Sequence, residues 1–372
     1  NIGPIVAAIA IETVAGEPFE QLVQAQVLEP LGMQHTSYHY HPDVVKSYRG
    51  DGITPEPYIH IADRPAGSMN STAADMAALL RMYLGRGSSD GRRLISEASL
   101  QRMERPQSTL AAATGLRAGY GLSNAGNETD GYWYQGHGGG IDGFLSSYSY
   151  APSINRGYFF AINARSGEAM RRIDKRIREF LTVDLRPLPQ TPYLAGVNLQ
   201  RMHGFYQPDA PRQEILRWLE LITGTVRVTS EGDQLMITPM FGTRSVWRPL
   251  SDTLLRKDNG IAPTLAFVRG QDHEVLLQGP GVGTLKRIPA MLAWSRLLLI
   301  GASAVLTLSA VAFALVWLPR RLFTEVEIPG LAARAWPALA SAALLLSFGL
   351  LQAGQASAPQ LLGNLTIYSL GF

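Results

Sequence analysis

The stretch Gly136 to Phe144, GHGGGIDGF, sets one imidazole among five glycines. An imidazole titrates near neutral pH, so His137 can move a proton or donate to a substrate carboxylate. Glycine has no Cβ to hold a ligand away, and successive N–H groups along such a run can hold a carboxylate or a developing oxyanion. Composition alone fits a glycine-rich hairpin turn with a bystander histidine equally well.

Acyl transfer also needs a nucleophile beside a base. The sequence has no cysteine, which removes thiolate nucleophiles, thiolate zinc sites and disulfides. Its four lysines, Lys46, Lys175, Lys257 and Lys286, are preceded at three positions by Asp43, Arg172, Leu254 and Gly283, so no Ser-x-x-Lys is present. No Gly-x-Ser-x-Gly elbow is read in the chain, which argues against the α/β-hydrolase arrangement. No His-x-x-x-His or His-Glu-x-x-His is read, His35, His39 and His41 are assigned to a loop without a carboxylate partner at ligand spacing, and neither a metal site nor a cofactor is expected.

These residues must be positioned by a chain of 372 residues that is 46% hydrophobic and carries a net charge of +3. Such a length predicts roughly two or three domains. No basic stripe alternates with aromatics, so nucleic acid is excluded as a partner. Thr72 to Asp75 reads as a capping box ahead of Met76, Leu79, Leu80, Tyr83 and Leu84, a helix stopped by Gly85 and Gly87. Ser166 caps a second helix whose apolar face is Met170, Ile173, Ile177, Phe180 and Leu181, with a solvated basic face opposite. Between them, 144–151 and 157–163 read as neighbouring strands joined by PSINR, which places the glycine motif at the start of a strand. From the residues alone, Glu12 and Asp75 read as helix-end partners and Tyr120 as a packed strand residue. The first domain is thus mixed α/β (α+β) with antiparallel pairing.

The prolines of DLRPLPQTPYLAG mark a linker over 184–197, and a β-rich domain follows over 198–290, with hairpins about EGDQ and RGQDHE. From 291 to 372 a membrane region is expected, with at least two transmembrane helices. Leu297 to Pro319 is uncharged throughout, and a second apolar run follows Arg334. Arg320, Arg321 and Arg334 argue that their connection is cytoplasmic, although Lys286, Arg287 and Arg296 weaken the asymmetry. The soluble domains then face outward from a bacterial inner membrane, with the lipid bilayer as a partner. The chain opens on Asn1 within an apolar helix and stops at Phe372 within an apolar run, so a piece of a longer protein is expected.

Three stretches in one order carry a family resemblance: NIGPIVAAIAIETVAGEPFEQLVQAQVLEPLGMQHTSY, PAGSMNSTAADMAALLRMYLGRG and AGYGLSNAGNETDGYWYQGHGGGIDGFLSSYSYAP. Over residues 1–183 the chain resembles the β-lactamase-related serine hydrolases, the peptidase S12 type that includes class C β-lactamases and penicillin-binding protein-like peptidases. The resemblance implies a partial β-lactamase/transpeptidase-like domain, and 198–290 is similar to the lipocalin-like domains that some members carry. It implies that Asn1 is the Asn of a Tyr-x-Asn motif. His137-Gly138-Gly139 would stand where many members have Lys-Thr-Gly, with Gly138, Gly139 and Tyr120 against the substrate. The N–H of Gly140 would be one oxyanion donor.

The sequence departs from the family in lacking Ser-x-x-Lys and the Tyr of Tyr-x-Asn, both expected upstream of Asn1. The resemblance therefore implies a membrane-anchored serine hydrolase of small peptide, amide or ester substrates, present here as an inactive fragment. Histidine in place of lysine favours a peptidase or esterase over a true β-lactamase. The alternative is a non-catalytic penicillin- or peptide-binding regulatory membrane protein of the same fold.

Overall fold

The computed structural model describes residues 2–61, 64–211, 217–240, 242–270, 274–280, 282–323 and 330–355. They form two compact units, Asn1–Arg287 and Ile288–Phe372.

In the first unit, helix α1 (Ile2–Ala15) is apolar with no polar face, and Ile2, Val6, Ile9 and Val14 are exposed on it. Glu12 at its end accepts from the Phe19 N–H (2.8 Å), tying α1 to the next helical segment, as its reading as a helix-end partner anticipates. Helix α2 (Ala73–Leu84) starts where Thr72 Oγ1 accepts from Asp75 N–H (3.2 Å) and stops at Gly85. Its Ala78, Leu80, Met82 and Tyr83 are buried against Leu28, Leu31, Met33 and Leu100. Asp75 does more than cap. Its buried carboxylate accepts from His35 N–H (2.8 Å) and Thr36 Oγ1 (2.7 Å), clamping a loop about forty positions away. Helices α3 (Glu97–Glu104) and α4 (Leu110–Ala113) follow, capped by Ser96 and Thr109.

Five strands then form one antiparallel sheet in sequence order: β1 (Gly119–Tyr120), β2 (Ala125–Thr129), β3 (Tyr132–Ile141), β4 (Phe144–Ala151) and β5 (Arg156–Ile162). The β2–β3 turn is Asp130-Gly131, both at positive φ (54° and 83°), the conformation that matches strand twist in a two-residue hairpin. β4 and β5 flank the PSINR turn as expected, with Asn155 in the left-handed region. The glycine motif lies elsewhere than expected. It fills the second half of β3, and the turn is Asp142-Gly143 with Gly143 at φ +77°. Pairing along the whole of β4 holds the glycines extended despite their poor strand propensity.

Helix α5 (Gly167–Thr182) is capped by Ser166 and lays Ile177 and Leu181 on Tyr132, Tyr134 and Tyr158. Phe180, expected on that apolar face, is 76% exposed. Arg178 turns inward to Asp130 (2.9 Å) and Asp174, so the basic face is not wholly solvated. Segment 184–197 is hydrogen-bonded on both sides, Leu188 N–H to Gly131 and Thr191 N–H to Ile261.

Eight further strands close a barrel: β6 (Gly204–Pro208), β7 (Val226–Glu231), β8 (Gln234–Pro239), β9 (Ser245–Pro249), β10 (Leu254–Lys257), β11 (Leu265–Arg269), β12 (Val275–Gly279) and β13 (Gly283–Ile288). Its interior is filled by Tyr206, Val228, Leu235, Trp247, Leu255, Leu265, Phe267 and Leu277. The run Leu265-Ala-Phe-Val268 is buried at every position because its outer residues, Ala266 and Val268, are also covered, by Ala111, Leu116 and Ala118.

In the second unit are α6 (Ala290–Phe323) and α7 (Leu331–Gln355). Among the described residues one helix, Ala290–Arg320, is by itself long and apolar enough to cross a membrane. The apolar run in which the sequence stops at Phe372 lies outside the described residues.

Candidate functional site

β3 has two regimes. Its first half, Tyr132 to Gly136, is paired with β2, up to Ala125↔Gly136, and pairing with β4 begins at Gln135↔Tyr150, so Gln135 and Gly136 are paired on both sides. From His137 to Ile141 only β4 is paired, so among the described residues the other edge is open. Gly136 N–H donates to Asn124 Oδ1 (3.1 Å), on the β2 side. Backbone N–H groups alternate edges along a strand, and the β3–β4 register has no bulge. Gly138 and Gly140 therefore direct their N–H groups to the open edge, and Gly139 directs its own toward β4. Both N–H groups lie on one edge, two residues apart.

Bare backbone is what the geometry admits here. A Cβ at Gly136 would lie 2.2 Å from the Tyr148 carbonyl oxygen, and at Gly139 2.4 Å from Ser146 Oγ. At Gly138 the nearest atom, the Ser146 carbonyl oxygen, is 3.7 Å away, an ordinary contact, so a Cβ would fit there. His137 is exposed, and its Nε2 lies 2.7 Å from Tyr120 Oη with the rings edge to face at 63°. Tyr120 is 53% exposed, which corrects its reading as a packed strand residue. The strand pairing brings these two together over 17 positions; the bond between them is not visible in the sequence.

A buried network backs the site. Asn124, with no exposed surface, donates from Nδ2 to Tyr150 Oη (2.8 Å) while its Oδ1 takes the Gly136 N–H. Tyr150 donates to Glu104 Oε1 (3.0 Å), and Arg86 grips both Glu104 oxygens (2.6 and 2.9 Å). Tyr83 stacks on Tyr150 and Tyr148. Burial, then the Glu104 charge, push the Tyr150 hydroxyl far above its ordinary value, so it acts as a donor. Burial does the same at Tyr148. None of Asn124, Glu104 or Arg86 stands out in the sequence, because no motif links partners so far apart.

Asn1, expected in the site, lies outside the described residues. Gly87-Ser88-Ser89-Asp90-Gly91 spells Gly-x-Ser-x-Gly, but it forms the turn of a two-residue strand pair, and Ser89 Oγ donates to Asp90 (3.1 Å). It is not a nucleophile elbow. His35 and His39 do stand four apart, which corrects the reading of no His-x-x-x-His, and His41 Nδ1 lies 3.4 Å from Asp43 in an exposed pair. Among the described residues no three His, Asp or Glu converge as a metal site. A cleft of about 240 Å³ lies against Gly136, His137 and Gly138, lined also by Ser147, Tyr158 and Arg178. A larger one of about 450 Å³, between the β2–β3 turn and the barrel, contains none of the expected site residues.

Residues 1–182 match the protein family described as Beta-lactamase. The human protein beta-lactamase-like 1 is 30% identical over 159 residues, which cover 40% of this chain and 30% of that protein. The chain thus spans less than a third of this curated relative. Among solved structures, the octameric penicillin-binding protein homologue from Pyrococcus abyssi is 21% identical, covering 74% of this chain and 62% of that one, with a TM-score of 0.39. The D-amino acid amidase from Ochrobactrum anthropi is 19% identical, covering 49% of this chain and 59% of that one, with a TM-score of 0.38. The segment that matches the Beta-lactamase family, residues 1–182, is the one that carries the glycine-edged strand and the Tyr120–His137 pair.

Proposed function

We propose that this chain carries one wall of an acyl-transfer site of the serine hydrolase kind, acting on amide or ester bonds of small peptides or related substrates. The open edge of β3 carries the reading: Gly138 and Gly140 present N–H groups side by side, next to the exposed His137–Tyr120 pair. Two donors about 7 Å apart along one strand edge suit an extended amide backbone, and Gly140 alone of the two would serve as one oxyanion donor, the other being the nucleophile's own N–H. The D-amino acid amidase and D-stereospecific amidohydrolase among its neighbours suggest an amide substrate class.

In this reading the nucleophile comes from outside these 372 residues, since no Ser-x-x-Lys is among them. Asn1 would contact the substrate amide. His137 stands where a lysine would carry a fixed charge, so a substrate carboxylate matters less and a peptidase or esterase is favoured over a β-lactamase. Ala290–Arg320 would anchor the unit in a bacterial inner membrane, with Arg320, Arg321 and Arg334 on the cytoplasmic side.

The test titrates the chain with N-acetyl-D-alanine amide while following backbone amide resonances, and separately exposes it to a fluorophosphonate. Shifts at Gly138 and Gly140 without covalent labelling are expected. Undisturbed glycine amides, covalent labelling of this chain, or ester turnover above a His137→Ala control would each refute the reading.

A further inference from the structure

Tyr120 is carried by a segment that is held from outside the site. Ala111 N–H, in the first turn of α4, donates to Gln278 Oε1 on β12 (2.8 Å). The same amide donates from Nε2 to Thr284 Oγ1 on β13 (3.2 Å), so Gln278 is fixed at both ends. Just beyond α4, Leu116 and Ala118 are buried against Ala266, Val268 and Leu276 on the outer face of the barrel. The Arg117 guanidinium lies over the Trp133 ring at 5.6 Å. Gly119 then takes φ +147°, where a Cβ would stand 3.0 Å from Pro106, and the next residue is Tyr120.

Strand β1 is two residues long, paired at Gly119↔Gly126 and Tyr120↔Ala125. Ordering so short an exposed strand costs backbone entropy that one net hydrogen bond barely offsets. The 2.7 Å contact between Tyr120 and His137 therefore needs an anchor, and the chain shows one two residues earlier, at Ala118.

We propose that the outer face of the barrel sets Tyr120 against His137, with Gln278 acting through Ala111 as a positioning residue for the site. The barrel is then part of the site's architecture. Its importance for catalysis rests on the functional reading above, but the coupling itself is read without substrate.

The experiment labels the histidines of the full chain with ¹⁵N and follows the ring nitrogens of His137, whose shifts report the hydrogen bond at Nε2. The other six histidines serve as controls for folding. Tyr120→Phe should move the Nε2 resonance, and Gln278→Ala should move it the same way. Gln278→Glu, which keeps an acceptor for Ala111, should stay near wild type. In a Tyr120→Phe background, Gln278→Ala should add nothing. If Gln278→Ala perturbs all seven histidines, the milder Thr284→Val takes its place, with the same shift expected. An unmoved Nε2 resonance in the variant that stays folded, or a full additional shift in the double variant, overturns the proposal. Neither result bears on whether Gly138 and Gly140 bind an amide, so the two readings fail separately.

Discussion

Glu104 offers the sharpest test of how the site is held. Replacing it by alanine leaves the Arg86 guanidinium without its bidentate partner and the Tyr150 hydroxyl without its acceptor. Removing one partner of a fully buried ion pair costs about 3–5 kcal/mol. The Glu104 side chain is 11% exposed but that of Arg86 is 25% exposed, so water recovers part of the loss. A stranded buried hydroxyl adds about 1 kcal/mol, and together a loss of about 3 kcal/mol is expected for Glu104→Ala. At about 2–4 °C per kcal/mol for a large domain, that lowers the melting temperature by about 6–12 °C. Circular dichroism melts of the full chain in detergent would read it. Glu104→Gln keeps an acceptor for Tyr150 and removes only the charge, so it should fall between wild type and alanine. A Glu104→Ala melt within about 2 °C of wild type would refute the claim that this pair supports the sheet.

Two further outcomes follow from local geometry. Asp51 is held at about 2, first by the Thr54 hydroxyl and then by the Ile53 and Thr54 N–H groups, below an ordinary carboxyl near about 3.9. The stability it contributes is complete above about pH 4 and lost as the pH falls through about 2, so its carboxyl ¹³C resonance should titrate with a midpoint near the lower value; a midpoint near 4 contradicts the turn. Gly136→Ala should destabilise by about 1–3 kcal/mol, because its Cβ meets backbone atoms that cannot rotate away, whereas Gly138→Ala should melt like wild type; equal melts for the two would count against the register described.

What was legible in the sequence was local. Thr72 and Ser166 announce their helices because a cap acts within three residues. The hairpins about EGDQ and PSINR are visible because turn chemistry and period-2 patterning sit side by side. The glycine run was expected at the start of a strand, and it fills the second half of the strand before it. Glycine's own preference is for turns, and only pairing with β4, which the local sequence does not show, makes 136–141 a strand. Phe180 carries the helical period of a buried residue yet faces solvent, since period alone does not say how wide a stripe the neighbouring sheet covers. Asn124, Tyr150, Glu104 and Arg86 could not have been joined in advance, because each bond spans 18 to 46 positions and depends on the finished fold.

The open edge of β3 has a cost of its own. An unpaired strand edge is a template for a second chain, and proteins usually blunt such edges with lysines, prolines or bulges. The stretch His137 to Ile141 carries none of these. Its protection is brevity and poor strand propensity: three glycines in a row give an incoming strand no side chains to pack against, so pairing there yields backbone hydrogen bonds and little else. In the proposed function such an edge holds a short ligand that brings its own contacts with His137 and Tyr120, while it offers a neighbouring molecule too little to start a fibril. Filling Gly138 with valine would keep the backbone donors but turn a docking ledge into a sticky one.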